Sequence, residues 1–162
     1  ETAYGWVKAL SSTKTPVGLI LSRQNLPQLE NTGADALKGA YVVHDADKLD
    51  AILMASGSEV SLAIEAAKEL ATTGVGVRVL SVPSMELFEA QSAEYKESIL
   101  PSTVEARVAV EAGTSIGWGR YVGLKGATVC LDHFGGSAPG GTLFKEFGFT
   151  VENVTKVVKS VL

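Results

Sequence analysis

The residues with the most chemical promise lie in the heptapeptide LSRQNLP, Leu21 to Pro27. It closes an apolar run, Val17 to Leu21, with a cation, two amides and a proline. Charged donors just past the carboxyl end of a buried parallel strand are where α/β proteins hold ligands. The Arg23 guanidinium offers five fixed donors that match a phosphate in bidentate fashion, which a lysine does not. Residue type and position leave two readings open: an anion-binding arginine, or an ordinary surface arginine in a strand-to-loop turn.

Other candidates are weaker. His133 opens the glycine-rich stretch DHFGGSAPGG after an apolar run. A general base there needs an orienting partner, and Asp132 is next to it, but neighbours on extended chain point to opposite faces. Glu111 follows the apolar run 106–110 and is a candidate of the same kind. His44 stands beside Asp45 and Asp47 in a turn, which reads as solvated surface. Gly57, in SGSE, has backbone donors that an anion could use. Yet Ser56 and Glu59 fit a capping box at helix entry, and Glu59 would repel an anion. Trp118 and Tyr121, spaced i, i+3, read as core. The loop Gly135–Gly141 reads as an anion nest or, preferably, as small residues allowing close packing against another domain or subunit. No HExxH, CxxC or paired histidine is present, and no GK[ST] follows Gly57, so neither a protein-built metal site nor a P-loop is expected. The residues make no complete catalytic set.

These candidates must be held by ordered elements, and the composition permits them. The 162 residues are 46% hydrophobic and 20% charged, the profile of a globular domain. Net charge is −4 with scattered cations. That gives no basic face for nucleic acid and no polybasic run for anionic lipid. No apolar run is long enough for a membrane span, and no signal peptide is expected. The lone Cys130, in ATVCL, reads as a small buried hydrophobe in a reducing compartment, and a cytoplasmic location is expected. The first residues are already helical in pattern and lack an initiator Met, which suggests a piece of a longer protein.

Periodicity predicts a helix over 1–10 with Ala3, Trp6, Val7 and Leu10 on one stripe, and a strand over 16–22. Polar, turn-rich residues 24–39 read as a linker. The pattern then restarts, with strands at 40–44, 51–55, 75–82, 106–110 and 127–131. Helices are expected from the SGSE turn to Thr72, in two short pieces around Met85–Phe88 and 94–100, around Trp118–Val122, at 143–147, and after Thr150. Strand–helix alternation with continuous apolar strands predicts an α/β fold: three layers, with a mainly parallel (mixed) sheet of about five strands and helices on both faces.

Four motifs in order, LSRQNLP (21–27), ASGSEVSLA (55–63), ARVAVEAG (106–113) and HFGGSAP with EFGFTVENV (133–139 and 146–154), resemble the C-terminal part of transketolase. They span nearly the whole chain. The LSRQN form separates it from the related decarboxylating dehydrogenases and deoxyxylulose-phosphate synthases; dihydroxyacetone synthase is similar, and a stand-alone α/β anion- or nucleotide-binding module is the alternative from another class. The resemblance implies the last helix and strand of a middle, pyrimidine-binding domain (about 1–24), a linker (25–39) and a transketolase C-terminal domain (40–162). It implies transfer of a two-carbon ketol unit between sugar phosphates in the pentose phosphate pathway. Thiamine diphosphate and a divalent cation (Mg or Ca) would serve the intact homodimer. Cofactor-binding and proton-transfer residues would lie upstream, leaving this stretch inactive by itself, without catalytic residues and without bound cofactor. One position of this sequence matches a functional position of the family: Arg23, which would grip the substrate's terminal phosphate. The expected partners are therefore sugar phosphates and the rest of the chain.

Overall fold

A computed structural model describes residues 1–162. Its centre is strand β2 (Ala51–Ala55), a run of five residues buried on both sides. Ala51, Leu53 and Ala55 point to one face of the sheet, and Ile52 and Met54 to the other. A side chain buried on either face contributes about 1.5–3 kcal/mol, so a short continuous apolar strand is stable only in the middle. Around it stand β1 (Tyr41–His44), β3 (Val77–Ser81), β4 (Arg107–Glu111) and β5 (Ala127–Cys130), in the order β1-β3-β2-β4-β5. All neighbours are parallel except β1, which runs antiparallel to β3 at the edge.

Helices α2 (Glu59–Ala71) and α7 (Val151–Val161) cover one face. Val60, Ala63, Ala67 and Leu70 of α2, at helical spacing, meet Val154 and Val158 of α7 over Leu53, Val79 and Val108. Thr150 caps α7, its hydroxyl accepting from Asn153 N at 3.2 Å. Short helices α3 (Met85–Glu89), α4 (Ala93–Ile99) and α5 (Gly119–Val122) cover the other face, where Phe88, Ile99, Trp118 and Tyr121 pack on Ile52, Met54 and Leu80. Helix α6 (Gly140–Glu146) precedes α7. The three-layer mixed sheet of five strands is thus as expected. Gly39 lets the chain enter β1: its φ is +87°, and a Cβ there would stand 2.2 Å from Phe88 N.

Two local expectations fail. Residues 16–22 form no strand; they run as irregular chain with Ile20 97% exposed. A strand exists only by pairing with a neighbour, and no strand of these residues lies alongside. Helix α1 (Thr2–Ser11) forms as predicted, but its apolar stripe is uncovered: no residue of it is buried, and Trp6, Val7 and Leu10 face outward. The second failure is the capping box. Ser58, not Ser56, precedes α2, and it makes no side-chain cap bond. The Ser56 hydroxyl instead crosses to Glu111. Within the polar stretch 25–39 a 3-10 turn, Ala34–Lys38, buries Ala36, and Asn31 donates to Val43 O at 3.0 Å.

Candidate functional site

The chain passes from β2 through α2 to β3 on one side, then crosses to β4 on the other side of β2. The strand order therefore reverses between the carboxyl ends of β2 and β4, the crevice where doubly wound sheets hold ligands. Ser56 and Gly57 leave one wall of that crevice and Glu111 the other. Ser56 Oγ donates to Glu111 Oε2 at 2.7 Å. The carboxylate of Glu59, a residue 3% exposed, accepts from Ser58 Oγ at 2.5 Å. The Ser56–Glu111 bond forms a clasp, in which a group after β2 holds the end of β4.

Both carboxyls are pushed above the ordinary range by burial. The Ser58 hydroxyl pulls Glu59 back, and the Glu111 charge adds to its rise; the Ser56 hydroxyl pulls Glu111 back. Cys130, at the end of β5, is pushed by burial to about 11, so its thiol is protonated and unreactive at neutral pH. Asp132 is committed to Ser115 and Thr114, accepting from Ser115 N at 2.8 Å, and these donors hold its carboxyl low.

Segment 1–24 lies along this same carboxyl edge. Glu1 Oε2 accepts from Tyr41 Oη at 2.7 Å and from Ser81 Oγ at 3.0 Å, tying the start of α1 to the start of β1 and the end of β3. Burial and the Glu1 carboxylate together push the Tyr41 hydroxyl far up. At the other end of the segment Ser22 reaches Gly57: its Oγ is 3.6 Å from where a Cβ of that glycine would stand. Arg23 follows at once, exposed, and takes part in none of the ion pairs.

The remaining candidates separate from this edge or lose their chemistry. His133 is exposed, with Nδ1 2.8 Å from Phe134 O and its ring edge-on to Phe147; Asp132 does not orient it. His44 ends β1, and its neighbour Asp45 pairs with Arg78 at 2.8 Å. Trp118 and Tyr121 are core, and Tyr121 Oη donates to Glu89 at 2.9 Å. Loop 135–141 is exposed throughout. Glu111 is a clasp rather than a free base. No group of three or more His, Cys, Asp or Glu side chains converges as a cation site, so the residues present do not fit a diphosphate-bound metal. The role of Glu1 gave no signal in the sequence. The pairing of Ser56 with Glu111 could have been found from the strand order, since both follow strands that flank the reversal.

The motifs on this edge recur in known proteins. Residues 39–150 match the family model of the transketolase-like TK C-terminal domain. The chain belongs to the transketolase family. It is 51% identical over 168 residues to the transketolase of Bacillus subtilis, covering 100% of this chain and 25% of that protein. The chloroplastic transketolase of Craterostigma plantagineum is 48% identical over 166 residues, covering 100% and 32%. Among solved structures, transketolase from Leishmania mexicana superimposes with a TM-score of 0.93 at 44% identity, over 99% of this chain and 23% of that one. A transketolase from Pichia stipitis in complex with sedoheptulose-7-phosphate gives 0.91 at 41%, again over 99% and 23%. The chain thus spans about a quarter to a third of these relatives, and it matches their C-terminal portion. Neither the dihydroxyacetone synthase reading nor the stand-alone module is favoured by these relatives.

Proposed function

We propose that this chain is the C-terminal part of a working transketolase, in which Arg23 grips the terminal phosphate of the sugar. On this reading residues 1–24 close the middle domain, 25–39 link, and 40–162 form the C-terminal domain. Thiamine diphosphate and its divalent cation supply the two-carbon transfer chemistry when bound, and they are held by residues outside these 162. The chain's own contribution is to bind and orient. Holding the phosphate fixes the far end of a ketose or aldose phosphate, so the reacting carbonyl is presented at one distance and angle. The homodimer, the cytoplasmic location and the uncovered stripe of Trp6, Val7 and Leu10 as a contact with the rest of the middle domain belong to the same proposal. No helix is long and apolar enough to cross a membrane.

The observation that carries the assignment is that Arg23 stands exposed and unpaired on the ligand edge of the sheet. A guanidinium without a carboxylate partner keeps all its donors for an anion. In the full-length enzyme, Arg23→Ala removes a charge-assisted bidentate contact of about 1.5–3 kcal/mol. The expected loss is roughly 10- to 150-fold in kcat/KM for phosphorylated sugars, mainly as raised KM, with little change for the dephosphorylated counterparts. Equal losses for both kinds of sugar would refute the assignment.

A further inference from the structure

The carboxyl edge of the sheet has two halves. Over β2 and β4 the Ser56–Glu111 bond closes the crevice. Over β1 and β3 the register sets Tyr41 directly opposite Ser81. Residues opposed on an antiparallel pair turn to the same face, here the one shared by Val43 and Val79. Tyr41 is 2% exposed and Ser81 0%. Hydroxyls buried this deeply are costly without an acceptor. Both find the same one, Glu1 Oε2, at 2.7 Å from Tyr41 Oη and 3.0 Å from Ser81 Oγ. That acceptor comes from segment 1–24, not from the domain that carries the hydroxyls. No lysine or arginine pairs with Glu1. Its carboxylate makes no cap bond in its own helix; it stands at the N-terminal end of α1, where the helix dipole favours a negative charge.

We infer that Tyr41 and Ser81 form a carboxylate receptor on the C-terminal domain, with Glu1 as its occupant, a polar latch that fastens α1 of the middle domain to the sheet and couples the opening of the two domains. As a bond between domains it rests on the assignment of residues 1–24 to the middle domain. The latch need not act alone. Helix α1 also lies beside the turn Ala34–Lys38, and a comparison of single and combined variants isolates the share of Glu1 and its hydroxyls whatever else joins the domains. The receptor is specific in kind. Its donors are two neutral hydroxyls converging on one oxygen, so it takes an acceptor and gives nothing to a cation.

Native-state hydrogen–deuterium exchange of the full-length enzyme, read by mass spectrometry, tests both sides of the latch. Tyr41→Phe together with Ser81→Ala removes two oxygens from the C-terminal domain and leaves the sequence of α1 untouched. It is expected to speed exchange in Thr2–Ser11 about tenfold. Glu1→Ala, altered only on the α1 side, should speed exchange in Tyr41–His44 by a similar factor, about tenfold. Exchange across the boundary is the deciding readout, because each change also loosens its own element. Glu1→Gln keeps an oxygen for both hydroxyls and should fall between the parent and Glu1→Ala. All three substitutions together should speed exchange in α1 no further than Glu1→Ala alone. If the double variant does not fold, Glu1→Ala decides, since it leaves the C-terminal domain unaltered. Unchanged exchange across the boundary, or fully additive effects in α1, would overturn the latch. Exchange in mild urea tests the domain division separately. If α1 opens with the residues that precede Glu1 in the full-length chain, the division stands whatever the variants show. If α1 opens with 40–162, the division fails, and the latch as a bond between domains fails with it.

Discussion

Removing one oxygen, in Ser56→Ala, isolates the clasp at the carboxyl edge. The Glu111 carboxylate loses its 2.7 Å donor while staying half-buried. A hydrogen bond to a charged group contributes roughly 1.5–3 kcal/mol. Water reaches part of Glu111, which puts the expected cost near the bottom of that range, about 1–2 kcal/mol. For a chain of 162 residues this corresponds to a Tm lower by about 2–8 °C. The cost has a direction in pH. Burial holds the Glu111 carboxyl above its ordinary value of 4.5, and the Ser56 hydroxyl pulls it back. Deleting the hydroxyl lets the folded-state value climb further. A carboxyl whose pKa is higher folded than unfolded gives its stabilisation in full below the unfolded value, and loses it as pH rises through the folded one. Ser56→Ala should therefore be nearly neutral at about pH 4 and most destabilising at about pH 8. Urea unfolding followed by far-UV circular dichroism across that range measures it. In a Glu111→Gln background, where the amide oxygen still accepts but nothing ionises, the penalty should shrink and lose its pH dependence. A penalty that is the same at every pH, or larger in acid, would show that Ser56 does not serve an ionised Glu111, and the clasp as described would be wrong.

Two further perturbations follow from the same coordinates. Glu59 is buried and its carboxyl is raised above the usual range chiefly by that burial, so its contribution to stability falls as pH climbs. Glu59→Gln keeps an acceptor for Ser58, and is expected to melt higher than the parent at about pH 8 with the gain vanishing near pH 4; a lower Tm at alkaline pH would contradict it. Gly39→Ala places a Cβ 2.2 Å from Phe88 N and 2.4 Å from Ser84 O at a φ of +87°. A loss of about 3 kcal/mol or more is expected, seen as poor soluble yield and a sharply lowered Tm; a stable Gly39→Ala protein would mean that this junction is looser than drawn.

Most of the sheet was legible because its signals are local and redundant. Ala51–Ala55 is continuous, apolar and short, and could only be a central strand; α2 and α7 each present an apolar face at helical spacing over ten residues or more. What failed depended on partners far away in sequence. Residues 16–22 have the composition of a strand but no neighbouring strand to pair with, and Val17, Ile20 and Leu21 stand exposed as a result. The S-x-x-E pattern at Ser56–Glu59 satisfied a local rule, yet Ser56 found its acceptor 55 residues on, in Glu111. A capping hydroxyl outside a helix can be outbid by a carboxylate held across a crevice, because the charged acceptor makes the stronger bond. The motif singled out Arg23; that its neighbour Ser22 lies over Gly57 was not legible, since nothing in a glycine's own residue type tells what lies over it.

The closed crevice bears on why a phosphate-gripping arginine would stand outside the sheet that supports it. An arginine rooted directly on β2 or β4 would face Glu111 and Glu59 at short range, and their charges would compete with any phosphate for its donors. Placing the guanidinium one layer out, on a segment that rests over Gly57, removes that competition. It also makes affinity depend on how firmly the segment is held. Within these residues Glu1 bonds to Tyr41 and Ser81, Leu19 lies against Gly5 of α1, and Ser22 lies against Gly57. A shift of about 1 Å at a positioning group is enough to cost two orders of magnitude in rate. One buried and one half-buried carboxylate, Glu59 and Glu111, are costly to the stability of the fold at neutral pH, and their place at this edge fits a part whose work is to keep that distance fixed.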